Sequence, residues 1–154
     1  MAALAHALAE PDTHTAALFV DLDNFKPVND RLGHAVGDEL LTVVADRLRE
    51  VSRSGDLVGR LGGDEFLLVC RDLEDATETA LAIAHRAHLA LHEPVLLDSG
   101  TVDLGASIGV ACSGPGVTAD DLVARADRAM YTAKRDGSGP VLAPAAGVPV
   151  DDLT

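Results

Sequence analysis

The chain has 154 residues, and 12 Lys and Arg against 25 Asp and Glu give a formal charge of −13. That length suits one domain, and a 47% hydrophobic fraction is enough for a core, which excludes disorder over the whole chain. The acid excess excludes a nonspecific grip on DNA, RNA or anionic membrane, which needs clustered Lys and Arg, and with no Trp, 1 Tyr and 3 Phe base stacking is a weak option.

Residues 1–9 are rich in Ala and Leu and predict a helix that Pro11-Asp12 ends. This start lacks a basic n-region and makes a poor signal peptide, and no apolar run reaches bilayer length. The apolar run 16–20 predicts a strand buried on both faces, ending in Asp21-Leu22-Asp23-Asn24. Loop and short-helix residues follow to Gly37. From Asp38 the residues Leu40, Val44, Leu48 and Val51 share one helix face, and Gly55-Asp56 breaks that helix. Residues 57–61 and 64–70 flank Gly62-Gly63 and predict a β-hairpin, since paired glycines supply the positive φ of a tight turn. Residues 75–92 predict a second long helix with Ala80, Ala84, Ala87 and Leu91 inward.

Residues 101–111 alternate with a period of two and predict a single strand. Val102, Leu104, Ala106, Ile108 and Val110 take one side. The other side is mostly small, with Gly105, Ser107 and Gly109, which suits the close approach of a helix or a ligand. Thr118 and Asp121 form a capping-box pattern that opens a third long helix, with Leu122, Ala126, Ala129 and Ala133 on one face and Gly137 at its end. Val141-Leu142 reads as an edge strand. One domain over 1–142 and a flexible tail over 143–154, rich in Pro, Ala and Gly, complete the division. The class is α+β (mixed α/β), with helices covering a central sheet. Cys70 and Cys112 lack metal-type spacing and read as reduced, buried thiols of a cytoplasmic protein.

Chemistry concentrates in two acidic clusters, Asp21 with Asp23 and Asp64 with Glu65. If the first strand and the hairpin are sheet neighbours, these carboxylates converge and repel unless a cation or proton intervenes. Hard oxygen ligands at a strand end suit Mg²⁺, which keeps waters and takes carboxylates together with phosphate oxygens. Two such ions stabilise attacking and leaving oxygens in phosphoryl or nucleotidyl transfer. Asp21 or Asp23 alone reads as turn-forming surface acid; the two clusters together favour metal. His85, His88 and His92 lie along one helix flank and read as solvated, since no carboxylate or cysteine is placed with them.

Gly62-Gly63-Asp64-Glu65-Phe66 is the signature of the GGDEF domain, the catalytic module of diguanylate cyclases, and the chain resembles that family in order and spacing. Asp21-Leu22-Asp23-Asn24-Phe25-Lys26 is similar to its metal and phosphate loop. Asn29-Asp30, Gly33-His34 and Gly37-Asp38 are similar to its next block. Arg60 precedes the signature, Ser107-Ile108-Gly109-Val110-Ala111 follows it, and Ala126-Asp127 through Tyr131-Thr132-Ala133-Lys134 resembles the final helix. The resemblance runs from the first strand to Gly137.

The resemblance implies a palm-like, ferredoxin-like sheet shared with nucleotide cyclases. It implies condensation of two GTP molecules to cyclic di-GMP and two pyrophosphates, a nucleotidyl transfer across a homodimer of facing domains. Asp21, Asp64 and the backbone carbonyl of Leu22 are implied ligands of Mg²⁺ or Mn²⁺. Glu65 is implied to assist the second metal or the deprotonation of the 3′-hydroxyl. Amides around Phe25 and Lys26, with the Lys134 ammonium, would hold phosphates, and Asn29 and Asp38 would read guanine. Arg53-Ser54-Gly55-Asp56 matches the family's Arg-x-x-Asp inhibitory motif, at which cyclic di-GMP binds. For His34 a structural hydrogen-bonding role is favoured. The chain begins after the Asp-x-Leu-Thr-Gly-Leu-x-Asn-Arg segment that usually precedes these motifs, so it reads as N-terminally truncated. Ser138 stands where the family carries an Arg, with Arg135 nearby. The alternative reading is a weak or inactive module that binds GTP or cyclic di-GMP as a signalling domain.

Overall fold

The computed structural model describes residues 14–144, so the helix expected at 1–9 and the tail from 145 onward lie outside the described residues. Strand β1 (Ala16–Asp23) is the middle of a five-stranded sheet of order β2-β3-β1-β6-β7. On one side it pairs antiparallel with β3 (Glu65–Cys70), which pairs in turn with β2 (Leu57–Gly62). On the other it pairs antiparallel with β6 (Gly105–Cys112), beside which β7 (Val141–Leu142) runs parallel. A strand flanked on both edges and covered on both faces has no polar side to show, which explains the unbroken apolar run at 16–20. The α+β class and the mostly antiparallel sheet flanked by helices are as expected.

One sheet face carries Leu18, Val20, Leu68 and Ile108 and packs on α1 (Phe25–Leu32), α2 (His34–Val51) and α3 (Ala76–His92). Leu40, Val44 and Leu48 of α2, and Ala80, Ala84 and Ala87 of α3, are the residues that meet it. The opposite face carries Ala17, Phe19, Leu67 and Val69 and packs on α4 (Ala119–Asp136) through Leu122, Ala126, Ala129 and Met130. A Cβ at Gly109 would overlap the carbonyl oxygen of Ala126 and the amide of Met130. The small residues of β6 thus serve the close approach of a helix at that position. The Thr118–Asp121 capping box forms in both directions, and Gly137 closes α4 in the left-handed region at φ 60.

Two expectations are corrected. Helix α2 begins at His34 rather than Asp38, because Gly33 at φ 93 alone supplies the break between α1 and α2. The single strand over 101–111 is two strands. β5 (Gly100–Val102) turns away into a separate hairpin with β4 (Val95–Leu97), and β6 starts at Gly105. The β1 ladder reaches only the pair Asp23–Gly105, so residues before Gly105 have no partner in the main sheet. Among the described residues, no helix is long and apolar enough to cross a membrane.

Candidate active site

The sheet register joins the two acidic clusters. Asp21, near the end of β1, stands opposite Glu65 at the start of β3. The Leu22 amide donates to the Asp64 carbonyl at 3.0 Å, which clips the end of β1 to the signature turn. In that turn Gly63 sits at φ 49, a conformation that side chains rarely adopt. The pairing of β2 with β3 shifts register between Arg60 and Gly62, and the Arg60 Nε donates to the Gly63 carbonyl at 2.9 Å. The turn is therefore held from both sides. Helix α4 covers the same face, and its Lys134 Nζ donates to Asp21 Oδ2 at 2.6 Å.

Electrostatics mark the cluster as short of positive charge. Burial first, and then the charge of Asp21, push the Asp64 carboxyl above the usual range. Burial also raises Glu65, followed by the charges of Asp21, Asp127 and Asp64. Burial opposes the Lys134 ammonium, yet its hydrogen bond to Asp21 and the charges of Asp21, Asp23 and Asp64 outweigh that and leave it raised. Among the described residues, no set of three or more His, Cys, Asp or Glu side chains is disposed to hold a metal ion unaided. The donor set fits a hard cation that completes its shell from water and from substrate phosphates.

Helix α1 begins at Phe25, after Asn24 in the left-handed region, and no side chain caps it. Phe25 anchors this helix in the core and Lys26 is exposed, so the uncapped first turn lies beside the end of β1. Asn29 approaches His34, Nδ2 to Nδ1 at 3.3 Å. Its Oδ1 occupies the space that a Cβ on Gly37 would need. Asn29 is thereby set against the backbone that carries Asp38. The Asp38 side chain is exposed and lines a groove of about 360 Å³ together with Thr42, Arg49, Arg60 and Phe66, between α2 and the β2–β3 hairpin.

Arg53 and Asp56 lie outside this site. Arg53 meets Asp56 through its backbone amide at 2.7 Å, Nε at 3.3 Å and Nη2 at 3.0 Å, and Nη2 also donates to the Arg71 carbonyl at 2.6 Å. The Asp56 side chain is 1% exposed and that of Arg53 38%. The Asp56 hydrogen bond holds the Arg53 guanidinium above its ordinary value. Asp56 is thus a buried anchor, and only Arg53 presents an accessible edge.

Some roles escaped the sequence. Arg60 braces the signature turn and also lines the Asp38 groove; its spacing of three from Gly63 across a hairpin was the available signal. Asp23, grouped with Asp21 by position, accepts from Ser107 Oγ at 2.9 Å and ties β1 to β6. His88 departs from a solvated flank: it is half-buried, and its ring centroid lies 4.1 Å from that of His92. Arg135, near position 138, pairs at the surface with Asp136 at 3.0 Å.

A sequence profile described as "Diguanylate cyclase, GGDEF domain" matches residues 1–140. The bifunctional diguanylate cyclase/cyclic di-GMP phosphodiesterase MucR of Pseudomonas aeruginosa is 43% identical over 127 residues, 82% of this chain and 18% of MucR. The diguanylate cyclase TpbB of the same organism is 42% identical over 141 residues, 88% of this chain and 32% of TpbB. The chain therefore spans a third or less of these curated relatives. The crystal structure of the TpbB (YfiN) GGDEF domain aligns with a TM-score of 0.84 at 41% identity, covering 93% of this chain and 92% of that one. The GGDEF domain of DgcB from Caulobacter crescentus, solved in complex with cyclic di-GMP, aligns at 0.81 and 28% identity, over 92% of this chain and 86% of that one. Family profile, sequence relatives and solved structures agree: the chain belongs to the GGDEF domain family of diguanylate cyclases.

Proposed function

We propose that this chain is a diguanylate cyclase that condenses two GTP molecules into cyclic di-GMP and two pyrophosphates, with each of two facing copies holding one GTP. The observation that carries the reading is the convergence of Asp21, Asp64 and Glu65 under the Lys134 ammonium. Asp21 and Asp64, with the Leu22 carbonyl, would hold Mg²⁺ or Mn²⁺, which supplies charge stabilisation at the α-phosphate. Glu65, raised by burial, would support the second ion or take the proton of the 3′-hydroxyl. The uncapped turn at Phe25 and Lys26 would seat phosphate oxygens, and Lys134 the terminal phosphates. Asn29 and Asp38 would read the guanine edge, an amide that donates and accepts beside a carboxylate that accepts. The free thiols of Cys70 and Cys112 fit the reducing cytoplasm to which this reading assigns the domain.

A second reading, a module that binds nucleotide without turnover, draws on Ser138 and on the pairing of Arg135 with Asp136, which leave Lys134 with less help at the phosphates. Incubation with GTP and Mg²⁺ at high protein concentration, followed by chromatography, separates the two. Cyclic di-GMP formed by the wild type and absent from Asp64→Ala supports the enzyme. Retained GTP binding with no product supports the second reading.

A further inference from the structure

We propose that Lys134 is a built-in competitor for the cation site: in the nucleotide-free protein its ammonium holds Asp21 and must leave before a divalent cation binds there. The inference rests on the metal reading above and adds to it an order of events. The contact is short, 2.6 Å, and it covers a carboxylate whose side chain is only 13% exposed. The lysine side chain is 44% exposed, so the ammonium has room to move where the carboxylate has little.

The helix beneath it is not free to move. Ala126, Ala129, Met130 and Ala133 of α4 are buried, and Gly109 lets the backbone at Ala126 and Met130 press onto β6. Past the last turn the Ser138 amide donates to the Ala133 carbonyl at 3.1 Å. Release of Asp21 is therefore a rotation of one long side chain, with the backbone fixed. The ammonium also moderates the repulsion that Asp64 and Glu65 feel from Asp21, so it stands where positive charge is needed.

A triphosphate offers several anionic acceptors to an ammonium, more than one carboxylate oxygen does. Nucleotide arriving with its cation would draw Lys134 from Asp21 toward the terminal phosphates and vacate the carboxylate for the metal. Cation and nucleotide then bind with positive coupling, and the cation alone binds weakly. The device keeps the metal site closed until substrate is present.

The test uses Mn²⁺ alone, titrated into the full chain and followed by the electron paramagnetic resonance signal of the free ion. Lys134→Met is expected to bind Mn²⁺ about fivefold more tightly than wild type, the change matching loss of one half-exposed ion pair. Wild type is expected to gain affinity for Mn²⁺ when a guanosine triphosphate with a methylene α,β bridge, unable to react, is added. Asp21→Asn is expected to lose Mn²⁺ with or without the analogue. Lys134→Met and Lys134→Gln, both with the wild-type circular dichroism spectrum, binding Mn²⁺ no more tightly than wild type would overturn the inference while leaving the cyclase reading intact. Failure of every form to bind Mn²⁺, with or without the analogue, would overturn the metal reading and this inference with it.

Discussion

The Lys134 ammonium meets Asp21 Oδ2 at 2.6 Å across 113 residues of sequence. The two elements that carry them, α4 and β1, are already joined by an apolar contact in which Ala17 and Phe19 pack with Ala126 and Met130. An ion pair as open to solvent as this one adds about 1 kcal/mol or less to stability. Its importance is positional: it places one cation on the carboxylate cluster that the β1–β3 register assembles.

That cluster is expected to oppose folding in the absence of a cation. Burial and the Asp21 charge raise the Asp64 carboxyl, so its protonated form is favoured in the folded state. The stabilising contribution is complete below the ordinary Asp range and is lost as pH rises through the raised value, so at neutral pH the ionised group is a liability. Asp64→Asn keeps the shape and removes the charge. In EDTA at pH 7.5 its Tm is expected to rise by roughly 2 °C, while cyclic di-GMP formation falls at least about 100-fold. Scanning fluorimetry and a product assay on the same sample check both; an unchanged or lower Tm counts against the repulsion.

Gly109 is where α4 lies closest to the sheet. Gly109→Ala places a methyl group against the backbone of Ala126 and Met130 and is expected to cost about 1–3 kcal/mol in urea unfolding. Gly59, in β2, has open space around its Cβ position, and Gly59→Ala is expected to stay within about 0.5 kcal/mol of wild type. Equal effects at the two sites would contradict the packing described.

Gly37 positions Asn29, which the proposed function assigns to guanine. A Cβ there would displace the Asn29 amide, so Gly37→Ala is expected to raise KM for GTP about tenfold with a smaller effect on kcat. Asn29→Ala should give a similar split. Steady-state kinetics with a loss confined to kcat would remove Asn29 from the base site.

Asp56 is buried and Arg53 is its partner, so the pair that the resemblance assigns to inhibition is a structural one. Arg53→Ala is expected to abolish inhibition by cyclic di-GMP and to cost about 2 kcal/mol, because it leaves a buried carboxylate unpaired. Arg53→Ala combined with Asp56→Ala is expected to recover part of that loss. Inhibition and urea midpoint are measured together, and undiminished inhibition in the folded single variant removes the inhibitory assignment.

His88 is expected to make stability pH-dependent on the acid side. Burial, and then the neighbouring His92 and His85, lower its affinity for a proton, against a smaller opposing pull from Asp23. Its Nδ1 is buried without a hydrogen-bond partner. A base depressed in the folded state contributes stability that is present above its ordinary value and lost as pH falls from there through the depressed value. The Tm of wild type is expected to drop more steeply below about pH 6.5 than that of His88→Gln. Parallel profiles would show that another group carries the acid sensitivity.

Much of this was legible in the sequence because it depends on local periodicity. The faces of α2, α3 and α4 follow from spacings of three and four, and the capping box at Thr118 and Asp121 needs only neighbouring residues. The break at 103–104 was not legible, since Val102 and Ala106 fit one alternating pattern whether or not they pair with the same strand. The helix start at His34 was missed because Gly33 and Gly37 offer the same local signal, and only Gly33 takes positive φ.

By itself the sequence determined which chemistry is present: the residue types and order of the signature, the two acidic pairs and the lysine of the last helix. Tertiary structure decided which of them meet. Strand register set Asp21 opposite Glu65, and packing of α4 on the same face carried Lys134 to Asp21. A diagonal hydrogen bond from Ser107 on β6 made Asp23 a strand tie, and burial made Asp56 an anchor for Arg53. Identical carboxylates acquired different roles because charge and hydrogen bonding act through distances of a few ångströms, and those distances arise between strands and helices far apart along the chain.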